Sequence, residues 1–239
     1  MRFFLVALSL AALAPACLGA QNLTEVQARL YFASATTSSA GAVDGHEMVA
    51  AALPNPSKPG GSRVELWRRR AGGYERLASA PKGGCDDCSG PTHKPNPTRV
   101  WIERDALHVE YKGGGSGVGF WAWRSSWGWD EALGRLRPLA TQRIGADEEG
   151  SARHTLVSFV DGTRTQRLRQ GDQVVSSSCR AAIARTPSFD QLSLAALFDG
   201  ALEPDCLAGT DSGNPLAARP APGSGALDNM LRSSSARAR

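Results

Sequence analysis

The sequence predicts a mainly β protein: an antiparallel meander of hairpins, propeller-blade-like or sandwich, with one C-terminal helix and a disordered tail. Three observations carry this. First, the run Trp121-Ala-Trp-Arg-Ser-Ser-Trp-Gly-Trp129 alternates, so in an extended chain Trp121, Trp123, Trp127 and Trp129 share one face with Ser125. Second, short alternating segments are separated by hairpin turns at Ala71-Gly72-Gly73, Arg104-Asp105 and Asp161-Gly162. Third, these segments follow one another without intervening helical patterns, which excludes a βαβ architecture.

At the N-terminus, Arg2 is a short positive region and Phe3 to Leu13 an apolar stretch too short for a bilayer span. Leu18-Gly19-Ala20 then offers small residues for cleavage before Gln21. Residues 1–20 are therefore expected to be an export signal. Ala14-Pro15-Ala16-Cys17 resembles a lipobox but lacks the leucine three residues before the cysteine. Removing Cys17 leaves an even set, Cys85, Cys88, Cys179 and Cys206, suited to a periplasmic or secreted protein. No other apolar run reaches transmembrane length.

Thr24 to Phe32 fits a short helix or a first strand, and Ser34 to Val43 reads as a loop. Met48 to Leu53 reads as a buried strand after the Asp44-Gly45 turn, and Pro54 to Gly61 as a surface loop. Arg63–Arg69 and Tyr74–Ala78 form one hairpin, and Arg99–Glu103 and Ala106–Lys112 another. Gly113 to Gly119 reads as a flexible hairpin loop, followed by the tryptophan strand, a turn at 130–134, and a strand from Arg135 to Ile144. His154–Val160 and Thr163–Leu168 make the last hairpin. The β domain is expected over 21–170. A disulfide-linked appendix follows over 171–209, with Ser188 capping a helix from Phe189 to Phe198. Residues 210–239 are rich in Gly, Pro, Ser, Ala and Arg and are expected to be disordered.

The net charge of +4 owes much to the ends of the chain: Arg2 leaves with the signal, and Arg219, Arg232, Arg237 and Arg239 lie in the tail. The folded part nearly balances, which argues against nucleic-acid binding. Cys85-x-x-Cys88 has three readings. A redox dithiol is disfavoured by Asp86 and Asp87, and a zinc knuckle by the lack of two further ligands at matching spacing, though His93 is near. A structural disulfide remains, with Cys85–Cys88 and Cys179–Cys206 the expected pairs. The indole face is expected to fill the core, with Trp127 and Trp129 at the strand end the candidates for an exposed ligand platform. Gly113, Gly114 and Gly115 are further candidates, as a place where a ligand approaches backbone; the run enters a strand, not a helix, so it does not suit a nucleotide phosphate. His46, His93, His108 and His154 lie apart, and neither GxSxG nor HExxH occurs. Glu103, Asp105 and Glu110 line one hairpin without a mark of catalytic use. No catalytic set, cofactor or metal is indicated.

The order of features resembles a group of exported bacterial proteins related to FG-GAP/VCBS-type, integrin α-like propeller blades. It is carried by Ala80-Pro81, Cys85-x-x-Cys88-x-Gly90, the Trp101-to-Tyr111 hairpin, the aromatic strand, Gly134-Arg135-Leu136-Arg137-Pro138-Leu139 and Asp161-Gly162-Thr163, and covers about Val43 to Arg169. The resemblance implies a β fold and an Asp-rich calcium turn. In the matching stretch, Ser39 to Glu47, only Asp44, Gly45 and Glu47 remain, too few for that cation. The expected function is a non-catalytic envelope or secreted binding module for another envelope protein or a glycan. The alternatives are a thiol–disulfide protein using Cys85 and Cys88, or a secreted hydrolase.

Overall fold

The computed structural model describes residues 22–54, 62–80, 98–115, 119–146, 151–171, 173–192 and 202–210. The elements are β1 (Asn22–Thr24), α1 (Glu25–Ala33), β2 (Thr37–Val43), β3 (His46–Pro54), β4 (Ser62–Arg70) and β5 (Gly73–Ala80). They continue with β6 (Arg99–Glu103), β7 (Ala106–Gly115), β8 (Gly119–Asp130), β9 (Arg135–Ala146), β10 (Ala152–Ser158), β11 (Thr163–Gln170) and β12 (Gln173–Arg180). Two antiparallel sheets result. The short sheet has the order β1-β5-β4-β3-β2, and the long sheet runs β12-β11-β10-β9-β8-β7-β6, so nearly every strand pairs with its sequence neighbour.

The core lies between the sheets. Val43, Met48, Ala50, Ala52, Val64, Leu66 and Ala80 come from the short sheet; Val100, Leu107, Val109, Tyr111, Trp123, Trp127, Trp129 and Leu136 come from the long one. Phe189, Leu192 and Leu202 close over them. None of β10, β11 or β12 contributes to this cluster.

The outer face of the short sheet is covered by α1. The helix starts with a capping box: the Thr24 hydroxyl accepts from the Gln27 amide, and the Gln27 side chain accepts from the Thr24 amide. Tyr31 and Phe32 lie edge-on to Trp67, with ring centroids 5.4 and 5.9 Å away. Beneath them the fully buried Glu65 accepts from the Tyr31 hydroxyl (2.8 Å) and Trp67 Nε1 (3.0 Å) at one oxygen. Arg63 Nε (3.0 Å) and Arg76 (3.4 Å) donate to the other. A buried carboxylate is tolerated because every acceptor site faces a donor. Burial, then the charge of Glu65, pushes the Tyr31 phenol pKa up.

Several expectations are corrected. The stretch expected as a loop from Ser34 contains strand β2. Its residues are small because the edge of β6 lies against them: Gly41 has room only for hydrogen, since a Cβ there would sit 2.7 Å from Ile102 Cγ2. Thr37 Oγ1 and Ser39 Oγ accept from the Val100 and Ile102 amides at 3.2 and 3.1 Å, so hydroxyls join the two sheet edges where no ladder forms. The β region does not stop at 170, because Gln173–Arg180 pairs along β11. Of the expected helix 189–198, Phe189–Gln191 form a single 3-10 turn, and 193–201 lie outside the described residues. The Gly-rich run is mostly strand: β7 continues to Gly115 and β8 begins at Gly119. The last hairpin is closed by four residues, 159–162, with Ser158 opposite Thr163. The expected export signal at 1–20, the cysteine-bearing stretch 81–97 and the expected disordered tail at 211–239 lie outside the described residues.

Candidate functional site: the outer face and open edge of the long sheet

The tryptophan strand keeps its predicted parity, but the expected ligand platform is not there. Trp127 is 0% and Trp129 4% exposed. Phe189 returns edge-on to Trp127 at 5.2 Å, and the Arg68 guanidinium lies 5.3 Å over Trp129. Trp127 Nε1 donates to Ser125 Oγ at 2.8 Å and Trp129 Nε1 to Glu131 at 2.6 Å, so neither indole has a donor left for a sugar. Gly113, Gly114 and Gly115 lie opposite Trp121, Phe120 and Gly119, so their β8 side is taken up by the ladder. Asp44, retained from the implied calcium turn, accepts instead from the Trp129 amide at 2.6 Å. Among the described residues no group of three or more His, Cys, Asp and Glu is arranged to hold a metal. Cys179 and Cys206 form the expected disulfide, with Cα atoms 5.6 Å apart. Cys85 and Cys88 lie outside the described residues.

The outer face of β6, β7 and β8 carries a constellation not visible in the sequence. Trp101, opposite His108, stacks on its ring with centroids 5.1 Å apart. Arg124 and Arg99 approach the same indole at 4.8 and 5.3 Å. Glu110, 3% exposed, takes Arg124 at 3.1 Å and Lys112 at 2.9 Å. His108 sits opposite Ser126, and its Nδ1 is 2.8 Å from the serine Oγ, while Nε2 is 3.2 Å from the Glu103 carbonyl. A carbonyl only accepts, so Nε2 carries the hydrogen and Nδ1 accepts from Ser126. Burial, ahead of the Arg124 charge, lowers the His108 pKa and keeps the ring neutral near pH 7. This is a serine hydrogen-bonded to a neutral imidazole, but β8 is paired on both sides by β7 and β9. Ser126 lies in mid-strand, opposite His108 on β7 and Ala140 on β9, and not at a loop or helix N-terminus where free amides would gather as oxyanion donors. The pair aligns two strands and holds Trp101 flat.

Beyond β9 the long sheet projects past the shared core. Its inner face is tied down near Glu203, which meets Arg143 at 3.4 Å and Arg164 at 3.8 Å, and by the Cys179–Cys206 bridge. Its outer face is different. Cross-strand partners share a face, so Gln142, Leu156, Thr165 and Ser178 form one row, and Ile144, His154, Arg167 and Ser176 the next. Arg169 lies opposite Val174, and Arg180 opposite Thr163. Among the described residues of β10 to β12, this face carries Arg167, Arg169 and Arg180 and no carboxylate. Val174 and Val175 are each 55% exposed on the last strand. No protein-family model matches the chain, and neither a characterised protein nor a solved structure is significantly similar to it, so the reading of this surface rests on its own geometry.

Proposed function

We propose that the chain is an exported, non-catalytic interaction module of the cell envelope, and that it binds another protein through the projecting strands β10 to β12. The observation that carries this reading is the projection itself. Three strands contribute nothing to the central apolar cluster, yet they hold a one-signed face and two exposed valines on a terminal strand. Strands that add little to the core and present apolar and charged groups to solvent favour a docking role. Burial of Trp127 and Trp129 argues for a protein partner over a glycan.

The test is a photo-crosslinking residue placed at Val175, with Val26 on the exposed side of α1 as control, followed by irradiation of whole envelopes. A discrete heterologous adduct from position 175 and none from 26 is expected. No adduct from 175, or the same adducts from both positions, would refute the reading. The hydrolase alternative rests on the Ser126–His108 bond. A fluorophosphonate probe is expected to leave Ser126 unlabelled, and labelling abolished by His108→Gln would favour that alternative.

A further inference from the structure

Among the described residues the two sheets end on β1, β2, β6 and β12, and β12 is the longest of these with no other strand against it. β1 is only three residues long, and β2 and β6 lie together, joined by the hydroxyls of Thr37 and Ser39. The fourth, β12, is eight residues long. Natural edge strands are normally blunted by charge, proline, a bulge or a cover, because an open row of amides and carbonyls pairs with any extended chain. From Gln173 to Cys179, β12 has neither a charged residue nor a proline.

The hydrogen-bond parity of this edge is fixed at its C-terminal end. The Arg180 amide donates to Thr210 Oγ1 and its carbonyl accepts from Leu207, while the Ala181 amide turns the other way to the Gly162 carbonyl. Residues two apart point alike, so Val174 and Ser176 direct their amides and carbonyls outward, where no described residue bonds them. Among the described residues, the segment 206–210 bonds this edge only at Arg180, so about five residues of the strand have no described partner on that side.

The side chains beside that edge select the occupant. Arg169 lies next to Val174 and Arg167 next to Ser176 on the outer face. An added strand would lie roughly 10 Å from β11, two strand spacings, and Arg167 would lean across nothing larger than serine to meet it. A second copy of this chain, paired edge to edge about a two-fold axis, would instead bring two basic faces together. Like charges in such proximity are repulsive.

We infer that β12 is a strand-addition site for an extended acidic segment of a partner protein, anchored by backbone bonds at Val174 and Ser176 and by carboxylates against Arg167 and Arg169. This deepens the interaction-module reading and rests on it.

The experiment uses the mature chain, residues 21–239, with its disulfide intact. Fluorescein-labelled ten-residue peptides serve as probes: alternating Val and Glu, alternating Val and Lys, and the Val-Glu peptide N-methylated at alternate amides. Saturable anisotropy is expected for the Val-Glu peptide, with at least tenfold weaker binding for each of the others. At least tenfold loss is also expected for Val174→Lys and for Arg167→Ser/Arg169→Ser, and none for Val160→Lys at an exposed turn. Ser176→Pro removes only an outward amide and supplies a second edge variant; near-UV circular dichroism identifies any variant that fails to fold. Equal binding of the Val-Glu and Val-Lys peptides, indifference to N-methylation, or self-association that Val174→Lys abolishes would overturn the inference. If the envelope adduct from position 175 persists in the Arg167→Ser/Arg169→Ser variant, the interaction module stands and the acidic-strand assignment falls. If wild-type chain gives no adduct at all, the broader reading falls.

Discussion

Glu65→Gln is the sharpest test of how the short sheet is held. The substitution keeps shape and removes charge, and at most sites it is mild. Here both carboxylate oxygens accept only from donors: Tyr31 and Trp67 on one side, Arg63 and Arg76 on the other. A glutamine amide must turn its NH2 toward one of these pairs, so one side becomes donor against donor, and two guanidinium groups lose their buried counter-charge. Breaking a buried ion pair from one side costs about 3–5 kcal/mol. Arg63 and Arg76 keep 25% and 20% of their side-chain surface in contact with solvent, which favours the low end, about 3 kcal/mol. For a chain of this length 1 kcal/mol corresponds to roughly 2–4 °C, so the expected fall in Tm is about 6–12 °C. The assay is thermal unfolding of the oxidised chain, followed by near-UV circular dichroism and Trp fluorescence. Tyr31→Phe removes one of the two donors at its oxygen, so the double variant Tyr31→Phe/Glu65→Gln should fall by less than the sum of the single changes. A Tm within 2 °C of wild type for Glu65→Gln, or strict additivity in the double variant, would refute the account.

Replacing Cys179 and Cys206 by serine opens a loop with a sequence separation of 27, and chain entropy sets the loss at about 3–4 kcal/mol; matched denaturant melts with and without reductant check it. Gly41→Val drives a side chain into Ile102, and overpacking of this kind costs about 1–3 kcal/mol. Hydrogen exchange should show the loss first at the Val100 and Ile102 amides. Burial lowers the pKa of both His108 and His154. The unfolded chain therefore takes up protons near pH 6.5 before the native chain does, and stability should fall as pH drops below that value. A His108→Gln/His154→Gln variant should lose less Tm between pH 7.5 and 5, and an unchanged loss would exclude these rings as the cause.

The hairpins were legible because alternation and turn chemistry agree locally. Tyr74, Trp101 and the indoles of β8 needed no tertiary knowledge to be placed on strands. β2 was not legible, since a strand chosen for smallness, Thr37-Ser-Ser-Ala-Gly, has the composition of a loop. Gln173-Val-Val-Ser-Ser-Ser was lost for a related reason: Ser176 gives room to Arg167 opposite it on β11, and that reason exists only once the register is known. The capping box Thr24-x-x-Gln27 was readable and decides α1 for helix over strand. The indole face was expected inward, with Trp127 and Trp129 the members at the strand end singled out as candidates for exposure, but Phe189, some sixty residues later, covers the first of them. The Ser126–His108 contact depends on where the Gly113–Gly119 run stops being a loop, which glycine composition leaves open.

The hydroxyl seam between β2 and β6 gives the molecule a weak line of its own. Backbone ladders unzip only by surrendering many bonds in sequence, whereas Thr37 and Ser39 bridge the gap with a few short tethers that solvent water replaces without loss of strand structure. Gentle denaturant should therefore free the Val100 and Ile102 amides first, as a local opening of the seam, while the apolar filling shared by the two meanders keeps them together until both unfold.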